Sequence, residues 1–195
     1  MGRLFVFEGP DGVGKSTVIG EVENRLHRVG ESCVRLAFPG KEPGTLGQHI
    51  YDFHHQSERF GVRTVSPLSL QLLHVAAHVD AIERRILPLL EQGRVVLLDR
   101  YWWSTWVYGV SDGLPIEQLE RMIAMEKLVW QGVTPTTLFM LSRSSAIVNS
   151  RIANAYGVLM EQEKGNYPVA ALANDATIDT IVDEILRVMQ KSSAK

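Results

Sequence analysis

With 195 residues, 45% of them hydrophobic, the chain can bury one substantial core and not two comfortable ones. Twenty basic against 22 acidic side chains leave a net charge of −2, which excludes the broad basic surface that nucleic-acid or anionic-membrane binding would need and makes any anion site local. The single cysteine, Cys33, excludes a disulfide framework and a cysteine-rich metal site and fits the cytosol, and no apolar run approaches a membrane span.

In chain order, Met1-Gly2-Arg3 leads straight into an apolar strand rather than a signal peptide. That strand, Leu4 to Phe7, stops at the turn Glu8-Gly9-Pro10, and a helix with apolar Val18, Ile19, Val22 and Leu26 runs from Lys15 to about Val29, where Gly30 ends it. Ser32 to Phe38 reads as a second strand, and Pro39-Gly40-Lys41-Glu42-Pro43-Gly44 as a loop at its end. A long helical pattern runs from Pro67 to Leu90, with Gly93 closing it before the strand Val95 to Leu98, so Asp99-Arg100 lies at a strand end. Ile116 to Trp130 is helical, Thr136 to Leu141 a strand, and a helix runs through Ile147 and Ile152. The stretch 155–167 lacks a stable apolar face and reads as a mobile lid, and Ile178 to Met189 is a last amphipathic helix. Strands alternating with helices predict one three-layer α/β domain, a parallel sheet flanked by helices.

Gly9-Pro10-Asp11-Gly12-Val13-Gly14-Lys15-Ser16 satisfies G-x-x-x-x-G-K-[ST] between a predicted strand and a predicted helix. In such a loop the glycines let backbone N–H groups face phosphate oxygens, the helix N-terminus adds partial positive charge, the lysine neutralises the β and γ phosphates, and the serine hydroxyl suits Mg²⁺. Gly9 to Ser16, with Thr17 beside them, are therefore the candidate Mg-ATP site. Neither Asn-Lys-x-Asp nor Thr-Lys-x-Asp occurs, so the usual guanine-specificity element is missing, and the chain is short for a motor ATPase.

Asp99-Arg100-Tyr101, followed by Ser104 and Tyr108, resembles the D-R-[YF]-x-x-S-x-x-x-[YF] block of thymidylate kinases. Glu8-Gly9, Phe38-Pro39, Lys41-Glu42-Pro43-Gly44-Thr45 and the long helix with Leu72-Leu73 and Pro88 extend the likeness over most of the chain. The resemblance implies the P-loop NTPase fold, γ-phosphoryl transfer from ATP to a nucleoside monophosphate, and a homodimer. It implies Ser16 and Asp99 at Mg²⁺, Arg100 and Lys41 at the acceptor phosphate, Asp11 near the metal and acceptor sugar, and Phe38, Ser104 and Tyr108 lining the acceptor cleft. Arg143 and Arg151 stand as candidate catalytic cations beside Lys15, Asp11 and Arg100, because Gly12 occupies the P-loop position where some members carry arginine.

The departures lie at the acceptor phosphate, in the lid and, most of all, around the base. Lys41 replaces an arginine, and Val158-Leu159-Met160-Glu161 stands where Asp-Arg-x-Glu is common, leaving Lys164 as a further cation. His74 and His78 occupy the positions of the stacking aromatic and the base-reading arginine, and Gly109 follows Tyr108 in place of a polar residue. These changes predict an altered or modified pyrimidine as acceptor. The i, i+4 histidines also match zinc-ligand spacing, but no H-E-x-x-H pattern or third ligand accompanies them. Two other readings stay open: a kinase for a nucleoside or another small phosphorylated molecule, and a non-catalytic ATP-binding protein.

Overall fold

The computed structural model describes residues 2–193. Five parallel strands form one sheet in the order β2-β3-β1-β4-β5: β1 is Arg3–Glu8, β2 Cys33–Ala37, β3 Val95–Asp99, β4 Thr137–Ser142 and β5 Val169–Ala173. The central strand β1 is buried from Leu4 to Glu8, as a strand covered on both faces must be. Its alternation sorts the core. Phe5 and Phe7 stack with Phe139 at 6.2 and 5.1 Å between ring centroids on one face, beneath α1 (Lys15–Arg28) and α8 (Ile178–Ser193). Leu4 and Val6 face the other side with Val96, Leu98 and Leu138.

That second face is covered by α3 (Pro67–Ala81), α5 (Trp102–Ser111), α6 (Ile116–Val129) and α7 (Ser150–Gln162). The helix α5 is apolar nearly all round and is buried from Trp102 to Val107, as befits a helix enclosed by others. The indole N–H of Trp103 donates to the Tyr167 hydroxyl at 2.8 Å, so the tryptophan cluster is core packing. The long helical pattern is continuous in space but irregular: α3 passes through a π-helical turn, Ile82–Ile86, into α4 (Leu87–Glu91).

Several expectations change. Leu46–His55 is a helix, α2, capped by the Thr45 hydroxyl, which accepts from Gln48 N–H. Val169–Ala173 is a strand, and Ile147 lies outside any helix, fully exposed. The stretch 155–167 does carry an apolar face. Ala155, Tyr156 and Leu159 are buried on α7, and Tyr167 is buried beyond it. Charged Glu161, Glu163 and Lys164 hide this i, i+1, i+4 stripe in the sequence. Among the described residues no helix is long and apolar enough to cross a membrane.

Candidate functional site

The loop from Gly9 to Gly14 joins β1 to α1 at the C-terminal edge of the sheet. Two of its glycines are obligatory. A Cβ on Gly9 would lie 2.2 Å from the Leu141 carbonyl oxygen, and one on Gly14 would lie 2.6 Å from Asn174 Nδ2, with Gly14 at φ 87° as the α1 N-cap. Asn174 donates from Nδ2 to the Val13 carbonyl at 2.7 Å, tying the loop to the end of β5. The Lys15 ammonium turns back over the loop and donates to the carbonyls of Gly9 and Pro10, both at 2.7 Å. Burial and then the Arg100 guanidinium push its pKa down to about 8, against the pull of Glu8, Asp99 and Asp11.

On one side of Lys15 the Ser16 hydroxyl donates to Asp99 Oδ2 at 3.0 Å, with Arg35 4.0 Å from the same oxygen. A hydroxyl beside a buried carboxylate is the hard-oxygen pair that Mg²⁺ takes, so these residues fit that ion. Among the described residues no group of three or more His, Cys, Asp or Glu that could hold a metal ion is found.

On the other side stands Arg100, at φ 75°, a left-handed conformation that costs a side-chain-bearing residue about 1 kcal/mol or more. Its N–H donates to the Phe7 carbonyl at 2.9 Å and its Nη1 to the Ser104 hydroxyl at 2.8 Å, and it forms a close ion pair with Asp11. The Tyr108 hydroxyl donates to the other oxygen of Asp11 at 2.9 Å. Burial opposes the charge on Arg100, but Tyr108, Glu8, Tyr156 and Asp11 outweigh it and raise its pKa further. Burial likewise opposes the Asp11 charge, and Arg100, Tyr108 and Lys15 overcome it, leaving that pKa low. A cation, an anion and a hydroxyl thus stand ready beside the P-loop.

Glu8 organises this edge from below. Fully buried, it accepts from the Tyr101 and Ser104 N–H groups at 2.7 and 3.0 Å, and from the Ser104 and Tyr156 hydroxyls at 2.8 and 2.9 Å. No side chain of α5 caps its own N-terminus, so Glu8 supplies that cap from β1 and meets the positive end of the helix. Burial pushes its pKa up, partly countered by Arg100, Ser104, Lys15 and the Tyr101 N–H. The Tyr156 hydroxyl also lies 3.2 Å from the Gly9 carbonyl, which links α7 to the loop.

The remaining expected residues sit otherwise. Lys41 is exposed, its ammonium 4.3 Å from the centroid of Tyr51 on α2 rather than paired at Arg100. Thr17 is exposed next to Ser16. Arg143 follows β4 and Arg151 opens α7. Both are exposed, and among the described residues no hydrogen bond or ion pair engages either guanidinium. Lys164 is exposed and 3.7 Å from Glu161. Nothing gathers these cations at the loop.

The two α3 histidines are both engaged. His74 Nε2 is 2.9 Å from Nδ1 of His54 on α2, a distance that needs one shared proton. Burial, then His78 and His54, push the pKa of His74 down to about 3, with Arg100 adding to the repulsion. His78 is 3% exposed, stacks on Phe38 at 4.0 Å and 11°, and bonds through Nδ1 to Oε2 of the fully buried Glu126 at 3.0 Å. Glu126 and Tyr156 carry no local motif, and only the fold brings them here.

A family model for thymidylate kinase matches residues 7–154. The chain is 34% identical over 136 residues to a thymidylate kinase of Thermoanaerobacter sp. strain X514, covering 69% of this chain and 62% of that relative, so the match spans less than two thirds of the relative's length. It is 34% identical over 159 residues to one of Ralstonia nicotianae, covering 79% and 72% of the two chains. With one of Finegoldia magna it shares 26% identity across 96% of this chain and 98% of the relative.

Proposed function

The chain belongs to the thymidylate kinase family, and from that premise we propose that it transfers the γ-phosphoryl group of Mg-ATP to a pyrimidine nucleoside or deoxynucleoside monophosphate. One observation carries this reading: Lys15 feels the charges of Asp99, which accepts from the Ser16 hydroxyl, and of Arg100 and Asp11, which pair with each other and with Tyr108. A donor phosphate chain and an acceptor phosphate repel each other, and their in-line approach needs cations between and around them. The P-loop amides and Lys15 hold the donor, and Ser16 and Asp99 would hold a Mg²⁺ whose charge would offset that of the donor phosphates. Arg100 gives up its bond to Asp11 for the acceptor phosphate, while Asp11 and Tyr108 turn to the acceptor sugar. An acceptor oxygen bonds to the γ phosphorus as the bond from that phosphorus to the β,γ-bridging oxygen breaks, and ADP leaves with the electron pair. No strong base is required, because the acceptor is already an oxyanion near neutral pH.

The base side supports a changed acceptor preference. His74 and His78 stand where the family places an aromatic and an arginine, and Phe38 closes on His78. A coupled ADP-release assay with dTMP, dUMP, dCMP, 5-substituted pyrimidine nucleotides and free nucleosides tests both levels. Turnover of a monophosphate other than dTMP ahead of dTMP supports the full reading. Turnover led by dTMP leaves the kinase and removes the altered preference, turnover of nucleosides alone indicates a nucleoside kinase, and no acceptor-dependent turnover indicates an ATP-binding protein. A homodimer in the cytosol completes the proposal, supported by the large apolar side chains that α3 and α6 leave exposed, Leu72 on one and Met125 and Leu128 on the other, and by the free thiol of Cys33. Sedimentation at micromolar concentration tests the dimer.

A further inference from the structure

A cavity of about 440 Å³ opens at the edge of the sheet opposite the P-loop, between the last turns of α1 and α8 and the start of β1. Topology puts it there. Arg3 begins β1 and Arg28 ends α1, whereas the P-loop joins the other ends of the same two elements, and the 14 residues of α1 span about 21 Å between the two places. The volume lies within the range of about 300 to 1,000 Å³ that small-molecule sites occupy. Phosphoryl transfer makes no use of it.

Its walls divide by chemistry. Leu26 and Val29 line it from the α1 side, and Leu186 and Met189 from the α8 side. The first, third and fourth of these continue one half of the core while Val29 is 79% exposed, so water in the cavity meets an apolar wall that an apolar body would cover with gain. The polar part of the lining is basic, Arg3, Arg25 and Arg28 against Glu31 alone. Two of these cations are already matched, Arg3 by Glu31 at 2.6 Å and Arg25 by Glu21 at 3.2 Å and by close ion pairs with Asp179 and Asp183. Arg28 is different. It is exposed, its Nη1 lies 3.7 Å from the Glu21 oxygen that Arg25 already holds, and among the described residues no hydrogen bond engages its guanidinium.

We propose that this cavity is a second ligand site, separate from the nucleotide site, for a small amphiphilic anion free in solution. The apolar body lies among Leu26, Val29, Leu186 and Met189, and a single acidic head pairs with Arg28. A ligand without charge forgoes the guanidinium, and one with several acidic groups meets Glu31 and the carboxylates that hold Arg25.

Anilinonaphthalene sulfonate, which joins aromatic rings to one sulfonate, is the probe, and its uncharged parent phenylnaphthylamine is the control. Followed by fluorescence on the full chain with Mg-ADP and dTMP in excess, the sulfonate is expected to bind once per chain, at least about tenfold more tightly than the parent, as one charge-assisted hydrogen bond allows. Val29→Trp fills the cavity from an exposed position and should weaken the sulfonate at least about tenfold. Arg28→Gln should bring the sulfonate down to the affinity of the parent and leave the parent's own affinity in place. Both sites are on the surface, and an unchanged melting temperature without probe verifies that both variants fold. The site is overturned by the absence of saturable binding, by a sulfonate affinity that either variant leaves unchanged, by a parent that binds as tightly, or by displacement of the probe on adding Mg-ADP. One probe per two chains also overturns it, because the cavity would then belong to a contact between copies. None of these outcomes bears on phosphoryl transfer, which the acceptor panel tests by itself.

Discussion

The two ends of the proposed acceptor site are built by opposite means. At the phosphate end Lys15, Ser16, Asp99 and Arg100 come from contiguous motifs at strand ends, each placed by backbone within a few residues of itself. At the base end His54, His74, His78, Phe38 and Glu126 come from α2, α3, the end of β2 and α6, and meet only because those elements pack. Charge placement at the first end belongs to the sheet edge and is rigid. On the proposed function, recognition of the base at the second would belong to helix packing.

The sharpest way to break this division is to cut each end and compare. Lys15→Ala is expected to lower turnover at least about a thousandfold with little change in melting temperature, because it removes charge stabilisation at the transferred group. An equal loss for every acceptor in His78→Ala would erase the distinction. Glu8→Gln should cost about 3 kcal/mol of stability, read by denaturant unfolding, since an amide group would then face donors that now converge on a buried carboxylate. Arg100→Ala should lower kcat/KM for the acceptor about a hundredfold, and Arg100→Lys should recover only part of it.

The pH responses of the two ends share a sign and differ in range. Lys15, with its pKa pushed down from 10.5 to about 8, releases its proton more readily in the fold than in the unfolded chain. Between those values the unfolded state binds more protons, so this group adds stability as pH rises, while Mg-nucleotide affinity weakens by at most about tenfold per pH unit above 8. Calorimetric titration checks the affinity. His74, lowered from 6.5 to about 3, acts at the acid end, where the unfolded chain takes the proton first and stability is lost as pH falls below 6.5, by at most about 1.4 kcal/mol per unit. His74→Phe should flatten that acid slope. The smallest effect expected is that of His54→Ala, about 1 kcal/mol at neutral pH, reporting the single hydrogen bond between α2 and α3.

How far each part could be read in advance follows the same line. The P-loop, the strand-end Asp99-Arg100 and the parallel alternation are local patterns, and the fold they predict is the fold found. The Glu126–His78 bond joins residues 48 apart in sequence, and Tyr156 reaches Glu8 across 148. No periodicity reports such pairs. The strand β5 was hidden because Val169–Ala173 lies at a sheet edge with only Leu172 buried, so it lacks the unbroken apolar run that marks β1 and β3. The C-terminal part of α7 was hidden by its charged end, and α2 by its five polar or charged residues among ten, Gln48, His49, Asp52, His54 and His55.

Tyr156 is the pin of α7. Its phenol is fastened at once to the floor carboxylate of Glu8 and to the first carbonyl of the phosphate loop, so the second turn of α7 is riveted to the ground on which ATP would rest. Any swing of that helix must therefore pivot there.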